Sequence, residues 1–67
     1  MIKIQLNGKL QDVADDTTLQ ALLSQYKLER ETVIIELNKT LLDKTSPVDK
    51  PLQDGDVIEF VRFVGGG

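Results

Sequence analysis

The chain has no cysteine and no histidine among its 67 residues. Without cysteine there is no disulfide framework, so this is not a stapled secreted miniprotein. Nor can the chain hold sulfur as a persulfide of its own. Without histidine it lacks the commonest general base and metal ligand, leaving only oxygen ligands of the kind hard cations take. The eight lysines and arginines form no run and face eleven acidic residues, for a net charge of −3. A phosphate backbone is bound by clustered cations, so nucleic acid is not an expected partner. The mild acidity inclines toward a basic protein partner. No stretch approaches the roughly 20 apolar residues of a membrane helix, and the first residues lack the basic-then-apolar order of a signal peptide. The expectation is no membrane association and a cytoplasmic location.

What remains is enough for one small domain. With 40% hydrophobic and 28% charged residues the composition is that of a folded soluble protein. A core of this size is thin and leaves little room for a buried active site.

Ile2, Ile4 and Leu6 alternate with Lys3 and Gln5, which predicts a half-buried strand. Asn7-Gly8 supplies the positive φ angles of a tight hairpin, so a second strand is expected over Lys9 to Val13 with Leu10 as its anchor. Leu19, Leu22, Leu23 and Tyr26 make one helical stripe. Thr17 and Gln20 have capping-box spacing, so the helix is placed at Thr18 to Tyr26 with Thr17 as N-cap. Asp15 and Asp16 sit where negative charge suits the helix dipole. Val33, Ile35 and Leu37 hold period 2 and predict a third strand to Asn38. A turn at Asn38-Lys39 leads to a short strand over Thr40 to Leu42. Pro47, Pro51 and Asp54-Gly55 punctuate a loop with room for one helical turn. Val57 to Val64 is the longest strand signal. One helix with a single apolar face requires one covered side of a sheet. The expected class is α+β, a mixed sheet of four to five strands with one helix packed on one face. Placing the last strand beside the first and parallel to it gives a β-grasp sheet. The domain spans residues 1–64, and residues 65–67 form a flexible glycine tail.

The chain ends in Gly65, Gly66 and Gly67. Glycine has no Cβ, so such a segment can lie extended in a slot too narrow for side chains. Three residues reach roughly 10 Å. Two readings fit: a frayed end, as chain termini commonly are, or a thin tether that carries a carboxylate into a partner's pocket. The position of the glycines after a strand favours the second. A carboxylate is a poor electrophile until ATP converts it to an acyl-adenylate, after which sulfur or an amine can take it. In the strand before the tail, Ile58 and Phe60 are assigned to the core. Val61 and Phe63 then form either an exposed apolar docking patch or a face covered by a loop. Phe63 is the preferred anchor, because aromatics often dominate interface energetics. Arg62 either supports docking or solvates the strand end.

The length, the strand and helix order, the Asn-Gly hairpin, the Asp-Gly-Asp before the last strand and the terminal Gly66-Gly67 together resemble the ubiquitin-like β-grasp sulfur carriers. The resemblance covers the whole chain and is closest to the thiamine-biosynthesis carriers of the ThiS family. It implies a protein cosubstrate rather than an enzyme, with no cofactor bound. Gly67 would be adenylated with ATP by an E1-like adenylyltransferase, converted to a thiocarboxylate using a sulfur donor such as a cysteine desulfurase, and presented to thiazole synthase. Gly66 and Gly65 would thread the partner's channel, although Gly65 lies beyond the family's defining pair. A molybdopterin-synthase small subunit or a ubiquitin-like modifier would share the fold and tail. Asp54, Asp56 and Glu59 lie close in sequence, but Asp-Gly-Asp reads as a turn and its spacing is not that of a calcium loop. No carboxylate pair is placed for acid–base catalysis.

Overall fold

A computed structural model describes residues 1–62. Strands β1 (Ile2–Leu6) and β2 (Lys9–Val13) form an antiparallel hairpin. Helix α1 (Leu19–Gln25) and a 3₁₀ turn (Arg30–Thr32) follow. A second antiparallel hairpin joins β3 (Val33–Leu37) to β4 (Thr40–Leu42), and β5 (Val57–Arg62) ends the described chain. The five strands lie in the order β2-β1-β5-β3-β4. β5 is central, parallel to β1 and antiparallel to β3. This is the expected mixed β-grasp sheet with one helix.

The turns form because their residues accept left-handed backbone. Asn7 and Gly8 have φ of 49° and 84°, and Asn38 and Lys39 have 51° and 70°. Positive φ at both central positions matches the right-handed twist of the strands they join. The alternation in β1 puts Ile4 and Leu6 inside, and β3 contributes Val33 and Ile35. Leu19, Leu22 and Leu23 of α1 close the core over Ile58. Phe60 is half-buried against it.

Several details differ from expectation. The N-cap is Thr18, whose hydroxyl accepts from the Ala21 N–H at 3.0 Å. Thr18 is held extended by a bridge to Pro51, so the helix starts one residue later and Gln20 no longer occupies the box position. Tyr26 is the C-cap and is 42% exposed, its hydroxyl bonded to the Gln11 side chain. Lys27, at φ 58°, donates to Ser24 O, and Leu28 donates to Leu23 O. This Schellman closure turns Leu28 back onto the core. Leu10 is no core anchor. It is the register partner of Gln5 on the outer face and is 67% exposed. The hairpin places Gln11 and Val13, not Leu10, across from Ile4 and Ile2. The proline-rich loop holds no helical turn among its described residues, and it buries Leu52 against the helix side. After β4, Asp43 Oδ1 accepts from the N–H and hydroxyl of Thr45 and the hydroxyl of Ser46. The Arg30 guanidinium donates to the carbonyls of Asp43 and Ser46.

Candidate functional site

β5 carries the chain toward residues 63–67 and is held on both sides. Asn7 donates its N–H to Ile58 O at 2.9 Å, and its Oδ1 accepts from Phe60 N–H at 2.8 Å. On the other flank Asn38 donates its N–H to Val57 O at 2.7 Å, and its Oδ1 accepts from Val57 N–H at 2.8 Å. Each hairpin turn thus bonds the central strand through a backbone and a side-chain group. The sequence shows these asparagines only as turn residues. Their second role depends on β5 passing between the two hairpins.

β1 pairs with β5 only at Gln5 with Val57 and Leu6 with Ile58, whereas β3 follows β5 to Arg62. Beyond Ile58 the β1 flank of β5 is therefore left to the Asn7 side chain. A cleft of about 500 Å³ opens there. Leu6, Leu28, Val33 and Phe60 line it, with Lys9 and Arg62 at exposed positions beside them.

Alternation along β5 separates the predicted docking residues. Val61 shares the outer face with Val57 and Glu59, is 51% exposed and lies opposite Ile34. Arg62 shares the phase of Ile58 and Phe60 and borders the cleft. Phe63, Gly65, Gly66 and Gly67 lie outside the described residues. Val64, the predicted end of the last strand, lies outside them as well.

The acidic residues before β5 are used in turn formation. Asp54 Oδ1 accepts from Lys3 N–H at 2.8 Å, and Gly55, at φ 89°, donates to Lys3 O. Asp56 accepts from Gln53 N–H through Oδ2 and from the Asn38 carboxamide through Oδ1. Among the described residues no group of three acidic side chains is placed to hold a metal ion. No helix among them is long and apolar enough to cross a membrane.

The ThiS family model matches residues 4–67, from the first core strand through the glycines. The chain is 49% identical over 65 residues to the sulfur carrier protein ThiS of Bacillus subtilis, covering 96% of this chain and 98% of that protein. The crystal structure of the thiamine biosynthesis protein ThiS from Geobacter metallireducens superposes with a TM-score of 0.76 at 35% identity, covering 98% of this chain and all of that one. A thiazole synthase of Paramagnetospirillum magneticum is 32% identical over 66 residues, a match that takes in 98% of this chain but only 20% of the synthase. With fold, length and family model in agreement, the chain belongs to the ThiS family of ubiquitin-like sulfur carriers, and is a carrier rather than an enzyme.

Proposed function

We propose that Gly67 carries the sulfur as a thiocarboxylate and delivers it to a thiazole synthase for the thiazole ring of thiamine. The observation that carries this reading is the family match extending to residue 67, in a chain with neither cysteine nor histidine. The carboxylate of Gly67 attacks the α-phosphorus of ATP on an E1-like adenylyltransferase, and pyrophosphate leaves. The outer sulfur of a persulfide on a donor such as a cysteine desulfurase attacks the acyl-adenylate and displaces AMP, and a thiol reductant then supplies two electrons that cleave the resulting acyl disulfide, leaving the thiocarboxylate on Gly67. Gly66 and Gly65 pass through the partner's channel because they present no side chain to obstruct it. Val61 and Phe63 contact the partner, with Arg62 beside them. The chemistry runs in the cytoplasm, where ATP is supplied. A thiazole synthase is favoured as recipient because a relative of that name contains a segment similar to this whole chain within a longer polypeptide.

The test is the intact mass after incubation with the adenylating enzyme, ATP and the sulfur donor. The expected gain is one sulfur less one oxygen, assigned to Gly67 by fragmentation. No gain, under conditions that sulfurise the Bacillus subtilis carrier, would reject the proposal. Deleting Gly67 is expected to abolish the gain while leaving the fold intact, because among the described residues the last buried one is Ile58.

A further inference from the structure

The outer face of the sheet, turned away from α1, holds an unusual pair. Glu36 of β3 and Glu59 of β5 are direct register partners, so their side chains project from the same face of neighbouring strands. Like charges directly opposite one another on a sheet are destabilising. Among the described residues no cation lies within ion-pair distance of either. The one lysine on that face, Lys3, lies 3.8 Å from its own register partner Asp12.

The surroundings of the pair are apolar. Leu41 is the register partner of Glu36 on its other side and is 67% exposed. Val61 and Ile34 form the next row across β5 and β3. Val57 lies two residues before Glu59 on the same face and is 37% exposed. Two carboxylates framed by exposed aliphatic side chains match the centre and water-excluding rim of a protein interface. Excluding water strengthens whatever charge pairing the carboxylates make. A second copy would bring four carboxylates together, and an anionic lipid surface would be repelled. The face therefore fits a partner that presents positive charge. Arginine meets two adjacent carboxylates better than lysine, because its planar fork offers donors to both.

We infer that this face docks the thiazole synthase through an arginine of the partner placed between Glu36 and Glu59, with Leu41, Val57 and Val61 sealing the contact. This rests on the proposed delivery of sulfur to that enzyme, and adds how the enzyme recognises the body of the carrier. It also gives the unfavourable pair a use, since the repulsion is relieved on docking.

The experiment titrates the full chain into purified thiazole synthase from the same organism at low and raised salt, for the wild type, Glu36→Gln, Glu59→Gln and the double variant. The double variant is expected to bind about thirtyfold more weakly, with a flattened salt dependence. Its melting temperature is expected to stay level or rise, because the substitutions remove a repulsion. Unchanged affinity of the double variant would overturn the proposal, and so would an affinity loss accompanied by a fall in melting temperature. Weaker binding only to the adenylating enzyme would overturn it too. A wild type that gains sulfur but does not bind the synthase overturns this docking mode and leaves Gly67 as the sulfur site. A wild type that binds through Glu36 and Glu59 but gains no sulfur has the opposite meaning.

Discussion

The first hairpin, β1 to β2, and the second, β3 to β4, are two versions of one device. Each turns at an asparagine in left-handed backbone, and each asparagine bonds β5 with both its N–H and its Oδ1. They differ in what supports the asparagine. Asn7 stands alone beside an open cleft and is followed by glycine. Asn38 also donates to Asp56, which in turn accepts from Gln53, and it is followed by lysine at φ 70°. The first turn is locally unstrained but weakly connected, whereas the second carries strain and is cross-linked to the loop before β5. The difference is one of position. The second hairpin grips the start of β5, where the loop must be aimed. The first grips it near Phe60, where β1 no longer pairs with it while β3 still does.

Below the turns the hairpins are equivalent in burial, and substitution of a buried residue in either has the largest expected effect. Ile4 and Ile35 are 1% and 0% exposed on the two strands that flank β5. Truncating either to alanine should cost about 2–5 kcal/mol, as large-to-small changes in closed cores do. In a domain with only a few kcal/mol to spare, either variant is expected to be largely unfolded at 37 °C by circular dichroism. A clearly smaller loss at Ile4 would show that the first hairpin can collapse into its cleft, breaking the equivalence.

The asparagines separate the hairpins. Asn38→Ala should cost about 2 kcal/mol, because it removes the acceptor for Val57 N–H and strands Asp56 as well. Asn7→Ala should cost about 1 kcal/mol, because Phe60 N–H can turn to water in the cleft. Urea midpoints would measure both. The reverse order would mean that the Asp56 network adds nothing.

The glycine and the lysine should respond with opposite signs. Gly8→Ala leaves the new Cβ in open space, so its cost is conformational alone, about 1 kcal/mol. Lys39→Gly relieves the same strain and should gain up to about 1 kcal/mol, less the added freedom of the unfolded chain. A loss at Lys39→Gly would place a stabilising contact of the lysine side chain above its backbone strain.

Most of the sheet was legible in the sequence because its signals are local. Alternation gave the strand faces of β1 and β3, and Asn-Gly gave the first turn. The leucine stripe of α1 was legible too, except at its ends. The Thr18 cap depends on a bridge to Pro51, and no local spacing reveals that. Leu10 was misassigned because one apolar residue in a polar strand does not define a phase; register with β1 does. Leu52 lies in a stretch read as loop, and only the closure of the chain over α1 buries it. The site divides in the same way. Gly67 is proposed from composition and lies outside the described residues, whereas the exposure of Val61 follows from alternation once Ile58 is placed inside. The opposition of Glu36 and Glu59, 23 residues apart in sequence, appears only when β5 is laid beside β3.

The smallest effect concerns the segments that leave the hairpins. After the second hairpin, Asp43 accepts from the hydroxyl and N–H of Thr45 and from the hydroxyl of Ser46, and these bonds hold its carboxyl below the ordinary carboxylate value. After the first, the turn closes on backbone groups, with Thr17 N–H donating to Ala14 O. A carboxyl whose folded pKa is depressed adds stability that is present above its unfolded value and lost as pH falls through the folded one. The exit of the second hairpin should therefore loosen first in acid, in the window below about pH 4. Asp43 is fully exposed, so the effect on global stability is slight, and amide exchange at Thr45 and Ser46 is the sensitive measure. Their protection should fall through that window in the wild type, while Thr17, whose N–H is held by the Ala14 carbonyl, stays level. Asp43→Asn should remove the pH dependence at Thr45 and Ser46. Protection at the two exits that changes together with pH would mean that acid loosens the whole domain, not the Asp43 turn.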